Sequence, residues 1–305
     1  MTPQPPSQVV GNADTSFWLF NASTGYDLTH PSTPTSPPVV PRLRLATTND
    51  VAVAIAPAKT ALIVIDMQNF FLSEALGRVR GEGHEAETTL LSTAFPAARA
   101  AGIQIVHVIW GIEDAELGAL PPTLFRAFGS YRTAGSAEIA QGKGEVRSYD
   151  LGEDVGPVEL GDGESVPGGR LLMRDQWNTA LHGPLQKSFD ESQSTALPDH
   201  SFWKNRLSGF WGGSTPVVEF LRKKGITTLL FTGVNTDQCV FSSLQDSCNL
   251  GFDTVLLSDG CGTRSPSYAT QMVLYNCERA WGFVSSCKAL AEGVKSMAWM
   301  AGNHC

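Results

Sequence analysis

The sequence predicts an α/β fold, three layers (α/β/α) built on a central, mainly parallel sheet of Rossmann-like type. Two observations carry that expectation. First, "TALIVID" (60–66), "IQIVHVIW" (103–110), "TTLLFTG" (227–233) and "DTVLLSDG" (253–260) are short, unbroken apolar runs. Such runs mark strands buried on both faces. Second, stretches of helical periodicity separate these runs, and alternating strands and helices wind into a parallel sheet covered on both sides.

Residues 1–57 precede this pattern as an extension rich in proline, serine and threonine. "PSTPTSPPVVP" (31–41) reads as extended and irregular. "SFWLFN" (16–21) carries three aromatics in six residues, so the extension is expected to dock on its own domain or on a neighbouring subunit. The main domain is expected over 58–305. After its first strand, "EAETTLLSTAFPAARAAG" (85–102) reads as a helix closed by Gly102, with Pro96 either kinking it or opening a new segment. The second strand follows at 103–110. Between 111 and 200 the periodicity lapses. "QGKGEVRSYDLGEDVGPVELGDGESVPGG" (141–169) is rich in glycine and charge, and it predicts loops with a hairpin inside an insertion at about 111–170. "STPVVEFLRKKG" (214–225) has a hydroxyl cap, proline at the first helical position, a basic last turn and a closing glycine. The third strand leads into "CVFSSLQDSCNLG" (239–251), where Val240, Leu244 and Cys248 share one helical face. Two helices, at about 267–281 and 286–299, close the chain after the fourth strand. No internal repeat is visible.

Composition excludes several classes. Of 305 residues, 42% are apolar and 17% charged, a globular balance long enough to bury a sizeable core. The net charge is -8, and no lysine or arginine run provides a nucleic-acid footprint. No apolar stretch approaches the roughly 20 residues of a membrane span. "MTPQPPSQVVGNADTS" lacks the basic region and apolar stretch of a secretory signal. The six cysteines, at 239, 248, 261, 277, 287 and 305, form no C-x-x-C pair and no zinc-spaced cluster with histidine. Reduced thiols in a cytoplasmic protein, with no metal and no cofactor, are therefore expected.

In parallel sheets, ligands sit at the carboxyl ends of the strands. Asp66 ends the first run and Cys239 opens the helix after the third, so both fall on one rim. A thiolate attacks and a thiol does not, which calls for something that lowers the cysteine pKa. A helix entry supplies part of it through its unpaired N–H groups. A cation supplies more, and Lys204 in "DHSFWKNRLSGF" (199–210), read as a loop among aromatics, is the candidate. A carboxylate at the end of an apolar strand is costly unless used, so Asp66 becomes the proton shuttle. Each residue alone also fits a structural role: Cys239 in core packing, Asp66 in a turn, Lys204 in solvent. Only the three together specify a nucleophile with its base and cation.

"ALIVIDMQNFF", "FWKNRLSGF", "TGVNTDQCV" and "GFDTVLLSDGCG" resemble, in this order, the motifs of the isochorismatase-like cysteine hydrolases, over about 58–300 with 111–170 poorly matched. The resemblance implies an isochorismatase-like fold with Asp66, Lys204 and Cys239 as catalytic residues. It also implies a cis peptide before Asn235, an oxyanion hole made by the N–H groups of Asn235 and Cys239, and a homo-oligomer, dimer or tetramer. The segments around Lys204, Arg206, Ser208, Gly209 and Phe210, and "DQWNTALH" (175–182), look most like the ureidoacrylate amidohydrolase and biuret hydrolase branch. The implied activity is hydrolysis of a small amide or ureide by water. Nicotinamidases carry an Asp-x-His metal pair after the first strand region, and none follows Asp66 here. A vinyl-ether hydrolase working without a cysteine, and a non-enzymatic binding protein on the same fold, are the alternatives. Asn69, Phe71, Trp110, Trp177 and Arg206 are candidate substrate-binding residues; turn formation, core packing and ion pairing are their structural readings. Gln68 reads as structural, His107 as a satisfied core histidine, and Cys248 and Cys261 as core or supporting residues.

Overall fold

The computed structural model describes residues 7–37, 39–129, 138–141, 145–161 and 163–302. Its centre is a six-stranded, wholly parallel sheet of β1 (Thr60–Ile65), β2 (Gln104–Trp110), β3 (His200–Lys204), β4 (Thr228–Val234), β5 (Asp253–Gly262) and β6 (Phe283–Ser285). The order across the sheet is β3-β2-β1-β4-β5-β6. Side chains alternate between the two faces, as the period of a strand requires. Ala61, Ile63 and Ile65 enter one buried cluster, while Leu62 and Val64 enter the other. Both faces are dry, which is why β1, β2 and β4 read as continuous apolar runs.

On the first face lie α4 (Pro216–Lys223), α5 (Phe241–Asn249) and α6 (Ser267–Asn276), through Val217, Leu221, Leu244 and Val273. On the second lie α1 (Glu82–Thr89), α2 (Phe95–Ala101), α3 (Gly183–Ser192) and α7 (Cys287–Gly302), through Ala86, Ala98, Leu185 and Leu290. Pro96 stands in the first turn of α2, where its missing N–H costs nothing. A π-type turn, Leu90–Ala94, absorbs the change from α1 to α2.

Two strands escaped the sequence reading. β3 and β6 are short and flank the sheet, so neither presents a long apolar run. The correction matters for Lys204, which ends strand β3 rather than sitting in a loop. The region 111–200 holds short helices Asp114–Leu117 and Pro122–Phe128 and two hairpins, Glu138–Gln141 with Glu145–Ser148 and Pro157–Glu159 with Ser165–Pro167. The closing helices also differ: α6 gives way to a π-type turn at Cys277–Trp281.

The N-terminal extension forms its own five-stranded sheet, in the order Gln8–Asn12, Ser16–Asn21, Gly25–Asp27, Val53–Ile55, Leu43–Leu45. Leu28, Leu43, Leu45, Val53 and Ile55 are buried in the same cluster as α2 and α7. Trp18 Nε1 donates to Asp253 Oδ1 at 2.7 Å, and its ring packs on Phe283 with centroids 5.5 Å apart. Asp253 Oδ2 meets His30 Nε2 at 2.7 Å and accepts from Thr228 Oγ1 at 2.9 Å. The extension thus lies on its own chain, at the amino ends of β4 and β5. Among the described residues no helix is long and apolar enough to cross a membrane.

Candidate active site

Asp66 is the first residue beyond β1. Its N–H donates to the Val108 carbonyl of β2 at 3.1 Å. The chain then turns sharply, and Asp66 takes a φ of 52° in the left-handed region, where aspartate is one of the few side chains enriched. Its side chain is fully buried. Gln68 anchors the turn: Nε2 donates to the carbonyls of Trp110 at 2.8 Å and Thr179 at 2.7 Å, and Oε1 accepts from the Trp110 N–H at 2.9 Å.

Lys204 ends β3 in register with Trp110 at the end of β2. Neighbouring residues of parallel strands present their side chains to the same face. Lys204 Nζ accordingly lies 4.2 Å from the centre of the Trp110 ring, and 2.9 Å from Asp66 Oδ2. Its third contact is a hydrogen bond donated to the Arg206 carbonyl at 3.1 Å. The turn after Lys204 packs directly on the sheet, since a Cβ on Gly209 would fall 2.4 Å from Val108 Cγ1. The Gly209 N–H is tied to Ser243 Oγ of α5 at 3.1 Å.

Cys239 arrives from the other side. It lies in a π-type turn, Thr236–Val240, between β4 and α5, and is buried. β4 approaches β1 so closely at this rim that a Cβ on Gly233, at φ 108°, would sit 2.1 Å from the Ile65 carbonyl oxygen. The Val234–Asn235 peptide is cis. The Asn235 carbonyl accepts from the N–H groups of Gln238 at 3.0 Å and Val240 at 3.3 Å, closing the turn. The Cys239 thiol faces the Asp66 carboxylate and the Trp110 side chain.

Solvent exclusion dominates the electrostatics. Burial raises the Asp66 pKa to about 6, against the opposing charge of Lys204 and the polar contacts from Cys239, Lys204 and the Trp110 backbone. Burial likewise pushes the Cys239 thiol up to about 12; Lys204 opposes this, and the Asp66 charge adds to it. The resting arrangement at neutral pH is therefore an ionised Asp66 beside a protonated Cys239. This corrects the expectation that Lys204 leaves Cys239 a ready thiolate. The cation is present, but burial outweighs it. What the arrangement can do is pass the thiol proton to a carboxylate held against an ammonium.

The remaining candidates divide. Trp110 is fully buried between Lys204 and Phe128, whose ring centroid is 4.8 Å away. The Asn69 side chain donates from Nδ2 to the Trp177 carbonyl at 2.8 Å, fastening the "DQWNTALH" segment to the turn after Asp66. Phe71 stacks edge-on against Phe70, centroids 4.9 Å apart, and Trp177 packs against the first-face core. The guanidinium of Arg206 lies over the Trp211 ring at 4.7 Å, donates to the Asn205 carbonyl at 2.8 Å and reaches the Ala119 carbonyl at 3.5 Å, so it ties its own loop to the segment after β2. His107 is the core histidine expected, buried against the rings of Phe95 and Phe189; its Nε2 lies 3.9 Å from Asp199 Oδ2, so the polar contact is a long one and neither ring nitrogen makes a hydrogen bond among the described residues. Among the described residues no group of three or more histidine, cysteine or acidic side chains is placed to hold a metal ion. The described cysteines, including Cys248, Cys261, Cys277 and Cys287, are free.

Comparison with known proteins identifies the family and the fold. The isochorismatase domain matches residues 60–286. The ureidoacrylate amidohydrolase RutB of Serratia proteamaculans is 30% identical over 258 residues, covering 81% of this chain and 89% of the relative. That of Klebsiella pneumoniae is 28% identical over 255 residues, covering 82% and 93%. Among solved structures, a cysteine hydrolase from Pseudomonas syringae superposes with a TM-score of 0.57 at 15% identity, covering 84% of this chain and 98% of that one. A nicotinamidase from Bacillus subtilis superposes at 0.51 and 19% identity, covering 75% and 99%. At these identities the structural likeness is one of fold.

Proposed function

The chain belongs to the isochorismatase family, and from that premise we propose that it is a cysteine hydrolase acting on a carbon–nitrogen bond of a small amide, ureido or carbamoyl compound. The observation that carries this reading is the meeting of Asp66, Lys204 and Cys239 from three separate elements at one rim, with Lys204 Nζ 2.9 Å from Asp66 Oδ2. The ureidoacrylate amidohydrolases among its relatives support the ureide class.

Asp66, ionised, takes the thiol proton as Cys239 Sγ forms a bond to the substrate carbonyl carbon. Deprotonation is coupled to attack, because a free thiolate is disfavoured in this buried site. The N–H groups of Asn235 and Cys239 receive the developing oxyanion. Asp66 then returns the proton to the leaving nitrogen as the C–N bond breaks, leaving a thioester on Cys239. A water gives its proton to Asp66 and attacks the thioester. Sulfur departs and recovers the proton. Lys204 holds Asp66 in its charged form between these transfers.

Intact-mass measurement after brief mixing with a panel of amides and ureides tests the reading. A substrate should leave its acyl mass on Cys239, and Cys239→Ala should show neither adduct nor turnover. Turnover that survives Cys239→Ala would replace the thioester route with ether hydrolysis or direct attack by water.

A further inference from the structure

Pocket lining and core filling are the two ordinary roles for Trp110, and its placement suits neither alone. The ring is wholly inaccessible, yet the indole Nε1 has no hydrogen-bond partner of full geometry among the described residues. A buried donor without an acceptor is costly and calls for an explanation. The whole residue is also held unusually firmly. Gln68 grips its backbone N–H and C=O, Phe128 meets its ring at 4.8 Å, and Lys204 lies over the ring face at 4.2 Å. With the ring face given to the ammonium, Nε1 is the one polar atom through which the Trp110 side chain can act on the neighbouring Cys239 thiol.

We propose that the indole N–H of Trp110 is a catalytic hydrogen-bond donor to the Cys239 sulfur, stabilising negative charge on that sulfur when the thiol is deprotonated and again when it leaves the thioester. The proposal rests on the hydrolase reading above and adds a fourth member to its machinery. No proton leaves the indole: Asp66 remains the acceptor, and the N–H only strengthens its bond as charge gathers on sulfur. Catalytic hydrogen bonds are commonly long in the resting enzyme and tighten along the reaction, which fits an Nε1 poised at the sulfur without full alignment. The direction of its influence agrees: the Trp110 contact lowers the Cys239 pKa, against burial and against Asp66. Among the described residues the charged groups that act on the thiol are Lys204 at the end of β3, which favours the thiolate, and Asp66 beyond β1, which opposes it.

The test reads the sulfur without any substrate. The rate of iodoacetamide labelling of Cys239 is followed by peptide mass at several pH values between 7 and 10, in the wild type, in Trp110→Phe, and in a protein carrying 3-benzothienylalanine at position 110. The last keeps the shape of tryptophan and removes only the N–H, so it serves if Trp110→Phe fails to fold. Labelling at Cys239 should slow by about tenfold in both, the weight of one hydrogen bond to a charged group, while Cys248 labels as before. With the substrate found by the acyl-adduct screen, kcat should fall by a similar factor and KM should hold. A structural role predicts the opposite sign, since loosened packing exposes the thiol and speeds labelling. Unchanged or faster labelling overturns the proposal. So does unchanged labelling with a raised KM, which would assign the N–H to the substrate. Failure of the hydrolase reading itself would appear instead as the absence of any adduct on Cys239.

Discussion

Replacing Lys204 with methionine isolates what the buried ammonium does. Methionine fills much the same volume and keeps β3 intact, but Asp66 loses its counter-charge. In the intact site, burial has already lifted the Asp66 carboxyl from its ordinary 3.8 to about 6. Lys204 is the strongest influence holding it down. At 2.9 Å, an attraction between unit charges in a protein interior of effective dielectric about 20 is worth about 6 kcal/mol. Relaxation and water entry will reduce the realised effect, yet a rise of at least about two pH units in the Asp66 pKa remains after a generous discount. In the wild type, kcat/KM should rise with pH through a midpoint near 6, because only ionised Asp66 can take the thiol proton. In Lys204→Met the midpoint should move to about 8 or higher, and the value at pH 6 should fall by about 50-fold or more as the ionised fraction of Asp66 drops. The assay is kcat/KM against pH from 5 to 9.5 for both proteins, with the carboxyl stretch of Asp66 followed by infrared difference spectroscopy as a substrate-free check. An acid limb that stays near 6 in Lys204→Met would refute the reasoning, since it would mean that the carboxylate does not depend on the ammonium beside it.

Asp66→Asn should change how stability varies with pH. The native state keeps a proton on Asp66 between about pH 4 and 6 that the unfolded chain has released, so wild-type stability relative to the variant should fall by about 2 kcal/mol as pH rises through that window, read from denaturant midpoints at pH 4 and 7. Among the thiols, iodoacetamide at pH 7 should reach Cys248 before Cys239: Cys248 is only partly buried, whereas burial pushes the Cys239 thiol up to about 12. Peptide mapping of a short labelling time course decides it. Asp253→Ala strands the donors of Trp18 and Thr228 and frees His30, so it should cost about 3 kcal/mol and open the N-terminal segment to limited proteolysis while the central domain resists.

How much of this was legible in the sequence depends on where water is. The strands buried on both faces, β1, β2, β4 and the start of β5, announce themselves as apolar runs because every side chain must be apolar. Once those are known, a parallel sheet brings their carboxyl ends to one rim, and Asp66 and Cys239 were legible as neighbours across a long stretch of sequence. β3 was not, because it lies at the edge of the sheet and its polar residues break the run. Lys204 was therefore singled out by its aromatic surroundings and then by motif, and its partnership with Trp110, a matter of register between β2 and β3, stayed hidden. The protonation state was hidden for a related reason. The residue types show that a cation and a carboxylate flank the thiol, but not that all three are buried, and burial is the largest influence on both Asp66 and Cys239. The expectation that a cation and a helix entry lower the pKa of the Cys239 thiol thus met a larger opposing influence, the burial of the thiol. On the route proposed above, the nucleophile is made only at the moment of attack, so whatever meets the new charge on sulfur has to be in place beforehand. Lys204 supplies the general positive field that opposes burial of the charge, and on the proposal made above the rigidly held indole N–H of Trp110 adds a directed hydrogen bond to it.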